Sequence, residues 1–273
     1  MGRLFTARSG SVLYVEEFGS DQSQKGPPVL CLHGIGGGAW FFSGFSKRLA
    51  ATHRVYCIDL PGTGNSPSAV HPFTLDSMAA DVGDFVRDEI REPVVLLGHS
   101  FGTILSLKAW ERWERGLIGA MLFVCGLPKA RPNIHERLSA RAVDIAANGV
   151  AGWGPKVSPG VFSKKSLAEI PETIAMFDRL FEALAPETYT RIIEVLLAAD
   201  MRSVVPTVTV PCAAIVGSDD SYAPPDAARE FVAGLPVPCS VTVLEGCAHM
   251  PFHENPAAFA AAAAGFLATL PRA

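Results

Sequence analysis

The chain of 273 residues is long enough to form one large α/β domain with a substantial buried core. Hydrophobic residues make up 49 % of the sequence and charged residues 18 %, a composition that argues against intrinsic disorder. The formal net charge is −4 and no stripe of lysines or arginines is present, so nucleic acid and anionic membranes are poor candidates as partners.

The same composition predicts a soluble, cytoplasmic protein. Residues 1–6 lack the apolar region of a secretory signal peptide, and the most apolar stretch, at 257–270, is shorter than the roughly 20 residues that span a bilayer. The six cysteines are widely scattered and none forms a C-x-x-C pair. We therefore interpret them as small buried apolar residues in a reducing compartment, and not as a metal or redox site.

Strand and helix signals alternate over the first 126 residues. Short apolar runs predict strands at 11–18, 28–32, 54–58, 93–97 and 117–125. Apolar positions at helical spacing predict helices at 40–51, 74–91 and 103–110, the second of them with Thr74 as its N-cap. Such an alternation predicts an α/β fold, in which a mostly parallel sheet is flanked by helices on both faces.

The alternation stops between about 127 and 205, where the sequence is mainly helical and contains no convincing strand. From 211 it resumes, with predicted strands at 212–216 and 239–244 and predicted helices at 225–235 and 256–270. We therefore predict a helical cap at 127–205, inserted into an α/β core made of 1–126 and 206–273. The apolar residues Trp153, Phe177 and Phe181 of this cap are candidates for substrate contact, or else form the core of the cap helices.

Residues 98–102, Gly-His-Ser-Phe-Gly, lie between the strand predicted at 93–97 and the helix predicted at 103–110. A strand that turns into a helix over so few residues needs a sharp bend, which glycines permit because they have no Cβ to collide with the neighbouring backbone. We expect Ser100 to be strained at the tip of this turn, with its hydroxyl exposed above the sheet. The G-x-S-x-G pattern in this context predicts a nucleophile elbow.

A serine hydroxyl needs a neighbouring base, and a carboxylate must hold that base in the correct tautomer. His249 follows the last predicted strand and so lies at the same sheet edge as Ser100, where ligand chemistry gathers in parallel sheets. His253, four residues further on, is the rival base. His99 is adjacent to Ser100 in sequence, but neighbouring side chains diverge at a tight turn.

Two aspartates follow the strand predicted at 212–216, and either reaches the correct edge of the sheet. We prefer Asp220 over Asp219 as the carboxylate, because it lies farther into the loop. The alternative position for an acid, after the strand that ends at Cys125, holds Gly-Leu-Pro-Lys and no carboxylate.

Two backbone N–H groups are candidates for an oxyanion hole. One belongs to Phe101, directly after the nucleophile, and the other to Ile35, in the glycine-rich loop at 33–38. His33 and Gly34 in this loop are further candidates for substrate contact. The loop lacks the G-K-[ST] ending of a phosphate-binding loop and the G-x-G-x-x-G spacing of a dinucleotide site, so we predict no cofactor and no metal.

Taken together, these motifs resemble those of the α/β-hydrolase superfamily along nearly the whole chain. The matching segments are 33–34, 59–66, 98–102, 217–220 and 246–249. Members of this superfamily carry nucleophile, acid and histidine in that chain order, which here is Ser100, Asp220 and His249. The resemblance also implies that Asp59 and the glycines after it shape a structural turn.

The type of nucleophile narrows the expected reaction. Relatives that open epoxides or displace halide use an aspartate at the nucleophile position, so Ser100 favours acyl transfer. Residues 196–225 are similar to small carboxylesterases and enol-lactone hydrolases, and we expect a small-molecule ester or lactone as substrate. A carbon–carbon bond hydrolase, a cofactor-free perhydrolase and a non-catalytic binding homologue remain alternatives. Arg141, Arg191 and Arg202 are candidates to bind a substrate carboxylate, although an exposed arginine is the default interpretation.

Overall fold

One eight-stranded sheet runs through the computed structural model, which describes residues 2–19, 26–70, 73–114 and 116–271. In chain order its strands are β1 (Gly2–Thr6), β2 (Val12–Phe18), β3 (Val29–Leu32), β4 (Val55–Asp59), β5 (Val94–His99), β6 (Ile118–Val124), β7 (Cys212–Gly217) and β8 (Cys239–Leu244). Their spatial order is β1-β2-β4-β3-β5-β6-β7-β8. The first two strands pair antiparallel and the other six run parallel, which confirms the predicted sheet.

The central strands are buried along their whole length, because helices cover both faces of the sheet. Every residue of β3, β4, β5 and β7 is buried, as the continuous apolar runs of a parallel sheet require. By contrast β1, which the sequence did not predict, is an edge strand in which only Phe5 is fully buried. With a single buried residue, β1 has no alternation of apolar and polar positions by which the sequence could have predicted it.

Within the described residues, the remaining regular structure consists of short 3₁₀ or π turns at 39–42, 86–90 and 205–207 and of α-helices. They are α1 (Ser43–Leu49), α2 (Leu75–Phe85), α3 (Phe101–Arg112), α4 (Pro132–Asn148), α5 (Gly154–Val161), α6 (Lys164–Glu169), α7 (Pro171–Glu182), α8 (Pro186–Ala198), α9 (Pro225–Ala233), α10 (Pro251–Glu254) and α11 (Pro256–Leu267). Thr74 caps α2 as predicted, in a reciprocal capping box with Ser77. Within the described residues, none of these helices has both the length and the apolar character needed to cross a membrane.

Five of the helices, α4 to α8, lie between β6 and β7 in the chain. Here α4 packs against α8 and α5 against α7. Among the described residues of this stretch, the only β pairing is an isolated bridge between Lys129 and Asp200. We propose that these helices form the cap at 127–205.

The register of the sheet brings the candidate residues to one edge. Leu32, the last residue of β3, lies beside Gly98 of β5, so the loop after β3 emerges next to Ser100. The end of β7 likewise pairs with the end of β8, Gly217 beside Leu244. The loops that carry Asp220 and His249 therefore leave the sheet together at its carboxyl edge.

Two glycines permit the tight junction between β5 and α3. A Cβ on Gly102 would lie 2.1 Å from the carbonyl oxygen of Leu32, and one on Gly98 would lie 2.4 Å from the carbonyl oxygen of Gly102. Both obstacles are backbone atoms, which no rotamer change can move. The elbow therefore closes only if neither position carries a side chain.

Substitution of Gly102 by alanine should consequently destabilise the protein. We expect the free energy of unfolding to fall by about 1 to 3 kcal/mol, the usual cost of overpacking. Gly265→Ala is the matched control, because Gly265 is also helical but has no atom within 4 Å of the added Cβ. The control should gain roughly 0.5 to 1 kcal/mol, since alanine favours a helix over glycine. Urea denaturation measures both, and equal stability of the two variants would contradict the packing argument.

Candidate active site

Ser100 occupies a strained backbone conformation between β5 and α3. Its φ of 53° and ψ of −114° lie in a region that residues with a side chain rarely adopt, at a typical cost of about 1 to 3 kcal/mol. The turn is held by the Ser100 N–H, which donates to the carbonyl of Val124 (2.9 Å), and by the Thr103 hydroxyl, which donates to the carbonyl of Gly98 (2.9 Å). The strain expected from the sequence is thus present at the residue for which it was predicted.

Asp220 and His249 form a buried pair at the same sheet edge. The Nδ1–H of His249 donates to Oδ2 of Asp220 over 2.9 Å, while Oδ1 accepts the backbone N–H groups of Tyr222 (2.8 Å) and Ala223 (3.1 Å). Burial by itself raises the pKa of Asp220, but the contact with His249 and these N–H groups outweigh it and lower the pKa. With a carboxylate on Nδ1, the Nε2 atom of His249 is left as the basic nitrogen.

The structure separates the two candidate acids and the two candidate bases. Asp219 is exposed, and its carboxylate accepts the hydroxyl of the neighbouring Ser218 (2.9 Å). His253 stacks on Trp40 with ring centroids 5.7 Å apart, and its Nε2 has no hydrogen-bond partner among the residues described. Burial lowers the pKa of His253 to about 4, so this ring is neutral at pH 7. Of the two candidate acids and two candidate bases, Asp220 and His249 are therefore the pair joined by a hydrogen bond.

Ser100 and His249 both line one cavity between the sheet edge and the cap helices. Among the described residues, no direct hydrogen bond joins the Ser100 hydroxyl to the imidazole of His249. Such bonds are often long in unliganded sites and shorten when substrate binds. The cavity has about 750 Å³ of space, part of it open to solvent, and its wall is mainly apolar.

The two candidate oxyanion donors lie beside Ser100. Ile35 and Phe101 both line the cavity. Phe101 is the first residue of α3, so its N–H has no partner within the helix. Gly34 allows its loop to lie against Ser100, because a Cβ on Gly34 would lie 2.9 Å from the Cβ of Ser100.

His33 is placed inside the protein and not at the cavity wall. Its Nδ1–H donates to the carbonyl of Gly34 (2.7 Å), and its Nε2 accepts the N–H of Leu60 (3.1 Å), with the Thr63 hydroxyl 3.0 Å away. The ring is fully buried, and this burial lowers its pKa. His33 therefore connects the candidate oxyanion loop to the loop after β4.

Asp59 shapes the turn after β4, as the resemblance implied. Its Oδ1 accepts the N–H of Ala39 (2.5 Å) and its Oδ2 accepts the N–H of Asn65 (2.7 Å). The carboxylate thus satisfies two backbone donors from separate loops, which is a structural function.

Some of the residues predicted to contact substrate line the cavity and others do not. Phe177 and Phe181 line the cavity, with ring centroids 6.1 Å apart. Trp153 and the loop residue Gly34 are absent from the cavity wall, and the indole N–H of Trp153 donates to Asp144 (2.8 Å). Two of the three aromatic candidates therefore line the same cavity as Ser100.

His99, set aside in the sequence because its side chain should diverge from Ser100, holds the loop that carries His249. Its Nε2–H donates to the backbone carbonyl of His249 over 2.9 Å. Burial lowers the pKa of His99 well below its usual value, so the ring is a neutral donor. The only feature of the sequence that could have indicated this role is the position of His99 in the elbow, next to Ser100.

Glu254 is a second residue that sequence reasoning missed. One carboxylate oxygen accepts the N–H groups of Ala248 (2.8 Å) and Met250 (3.1 Å), on either side of His249. The other accepts the N–H of Ser163 (2.8 Å) and the hydroxyl of Ser166 (2.9 Å) in the cap. One side chain therefore holds the histidine loop and the cap together.

One group among the described residues brings three potential metal ligands together. The ligand atoms of Cys125, Asp220 and His249 lie within 4.8 Å of one another. The fit is poor, because burial raises the pKa of the Cys125 thiol well above its usual value and metals bind the thiolate. The Nδ1 of His249 is, moreover, already bonded to Asp220.

Glu254→Gln should loosen the histidine loop, because the amide presents a donor to groups that are themselves donors. We expect the free energy of unfolding to fall by about 1.5 to 3 kcal/mol, and amide exchange at 248–250 to accelerate. Glu245→Gln, in the same loop but exposed, is the control. Denaturation and hydrogen-exchange mass spectrometry measure the two effects, and identical behaviour of both variants would contradict the assigned role.

Comparison with known proteins shows which family this chain is similar to. Residues 29–262 match the profile of the alpha/beta hydrolase family. A pimeloyl-acyl-carrier-protein methyl ester esterase of Neisseria meningitidis is 26 % identical over 240 residues, covering 85 % of this chain and 90 % of that protein. The enol-lactonase of Burkholderia xenovorans has the same fold, with a TM-score of 0.89 at 21 % identity over 97 % of this chain and 100 % of that one. A thermophilic esterase of Thermogutta terrifontis, solved with malate bound, gives 0.88 at 20 % identity over 98 % of each chain. Since the family profile spans most of the sequence, the chain belongs to the alpha/beta hydrolase family.

Proposed function

We propose that the protein is a serine hydrolase that cleaves a small carboxylic ester or lactone through an acyl-serine intermediate. The observation that carries the proposal is the 2.9 Å hydrogen bond between Asp220 and Nδ1 of His249, at the cavity that Ser100 also lines. That bond fixes the tautomer in which Nε2 can take a proton from a serine hydroxyl. Burial of the Asp220–His249 pair does not by itself require a strained serine in the same cavity, so we attribute the strain at Ser100 to catalysis.

The reaction would begin with attack of the Ser100 oxygen on the substrate carbonyl. His249 takes the hydroxyl proton at Nε2, and Asp220 stabilises the resulting imidazolium. The N–H groups of Ile35 and Phe101 stabilise the oxyanion, a contribution of about 3 to 4 kcal/mol for such donors. The tetrahedral intermediate then collapses, and the imidazolium gives its proton to the departing alcohol oxygen.

The second half-reaction would repeat these steps with water. His249 takes a proton from the water molecule as it attacks the acyl-serine carbonyl, and the returning proton restores the Ser100 hydroxyl as the acid leaves. In a lactone the alcohol and the acid remain one molecule, so the product is a single hydroxy acid. No redox step and no bound cofactor enter this sequence.

The relatives and the cavity both support esters and lactones as substrates. One similar protein is named a methyl ester esterase, and a structural neighbour is named an enol-lactonase. The apolar wall, with Phe177 and Phe181, suits an acyl or alcohol group of small to medium size.

Ser100→Ala should abolish hydrolysis of a short aryl ester, because no other group supplies the nucleophile. We expect kcat/KM for 4-nitrophenyl acetate to fall by a factor of about 10³ or more. Thermal unfolding should be little changed, since the substitution removes one partly exposed hydroxyl. Substantial turnover by a folded Ser100→Ala variant would end the proposal.

The acid is tested by a matched pair of neighbouring aspartates. Asp220→Asn should lower kcat by a factor of about 10² to 10⁴, because an amide stabilises neither the correct tautomer nor the imidazolium. Asp219→Asn should stay within about twofold of the wild type, since its carboxylate is exposed. Steady-state kinetics decide between them, and the opposite ranking would show that Asp219 is the catalytic acid.

A further inference from the structure

Arg141, on α4, is a buried cation in the cavity wall. The residue is 6 % exposed, and it lines the same cavity as Ser100. Its Nη1–H donates to the hydroxyl of Tyr189 (3.1 Å) and its Nη2–H to the hydroxyl of Tyr222 (3.3 Å). Its Nε–H is buried and has no hydrogen-bond partner within the part of the chain that the structure describes. A guanidinium carries five donors, so a large part of its capacity is unused.

The described residues supply no carboxylate to this cation. None of their salt bridges includes Arg141. Asp144, one turn along α4, instead accepts the side chains of Asn148 (2.8 Å) and Trp153 (2.8 Å). An arginine keeps its charge at any working pH, and a buried charge without an opposite charge is costly.

The other charged side chains that line this cavity are also positive. Lys129 and Arg131 also line it, whereas no aspartate or glutamate of the described residues does. Lys129 is paired with Asp200 (2.9 Å). Arg141 is thus the buried cation of this wall that lacks a counter-charge, and a ligand is the remaining source of one.

We propose that the substrate is an ester or lactone that carries a carboxylate, and that Arg141 binds this carboxylate. The inference rests on the proposed function and names its substrate class. The guanidinium would donate in parallel from Nε and a neighbouring amino group, the bidentate geometry that arginine and carboxylates favour. The two tyrosine hydroxyls, which already accept from Arg141, hold the fork in place.

Tyr222 sets the position of this carboxylate relative to the reactive centre. Its hydroxyl accepts from Arg141, and its ring lies 4.7 Å, centroid to centroid, from the ring of His249. One tyrosine ring therefore separates the guanidinium from the base. This spacing suits a carboxylate that is a few carbon atoms away from the scissile carbonyl, as in the half-esters of short diacids.

Two pairs of esters test the proposal in the intact protein. Monomethyl glutarate is compared with methyl pentanoate, and monomethyl adipate with methyl hexanoate, by titrating the released acid. Within each pair a carboxylate replaces a methyl group and the ester is unchanged. We expect kcat/KM of the wild type to be about tenfold or more higher for the half-ester of at least one pair.

The decisive variant is Arg141→Gln, with Arg137→Gln as its control. Arg137 lies on the same helix and donates to the same Tyr222 hydroxyl (3.2 Å), but it is exposed and does not line the cavity. Arg141→Gln should raise KM for the half-ester by about tenfold or more and leave the neutral ester within about threefold. Arg137→Gln should retain the preference. An equal loss on both esters would assign Arg141 a merely structural role and overturn the proposal.

A measurement on the wild type does not depend on whether a variant folds. Glutarate should inhibit hydrolysis of methyl pentanoate competitively, whereas neutral glutaramide at the same concentration should not. Hydrolysis of methyl pentanoate without inhibition by glutarate, and without preference for either half-ester, would overturn the proposal and leave the proposed function standing. Failure to hydrolyse any of the four esters would instead count against the proposed function, and absence of glutarate binding by calorimetry would then overturn the carboxylate site as well.

Discussion

The strained turn at Ser100 is the constraint on which the rest of the site depends. A residue with φ of 53° persists only where its surroundings leave the chain no alternative. Here the carbonyl of Leu32 lies where a Cβ of Gly102 would be, and the Ser100 N–H is bonded to Val124 on the adjacent strand. Helix α3 can therefore leave the sheet at once, which projects the serine hydroxyl from the carboxyl edge. His249, Ile35 and Phe101 line the same cavity as this serine.

The histidine loop is fixed by contacts on several sides. His99 bonds the carbonyl of His249, Glu254 bonds the N–H groups that flank it, and the N–H of His249 itself donates to the carbonyl of Val161 in the cap (2.9 Å). The helices of the proposed cap are thus bonded to the backbone of the residue whose imidazole would carry the proton, and through Glu254 Ser163 is bonded to the same loop. Any movement of α5 relative to the sheet would change the position of the base. For this reason the position of α5 and the position of the His249 ring are physically linked.

The sequence predicted the parts of the fold and site that are encoded locally. The Gly-x-Ser-x-Gly run contains both the bend and the candidate nucleophile, and His249 follows a strand whose apolar pattern is clear, so order along the chain was sufficient to place both residues at one sheet edge. Local sequence patterns do not encode the direction in which an individual side chain points. His33 belongs to the predicted loop but turns inward, because the N–H of Leu60 provides its partner. Arg141 was one of three arginines expected on the surface by default, and only the packing of α4 against α8 shows that it is buried.

The central claim is that Ser100, His249 and two backbone donors act on one carbonyl. A crystal structure of the protein after reaction with an alkyl fluorophosphonate tests it most directly, since the adduct mimics the tetrahedral intermediate. The account predicts phosphorus bonded to the Ser100 oxygen, one phosphonyl oxygen within about 2.7 to 3.1 Å of the N–H groups of Ile35 and Phe101, and Nε2 of His249 facing the serine oxygen. An adduct on another residue, or a phosphonyl oxygen turned away from both N–H groups, would contradict it.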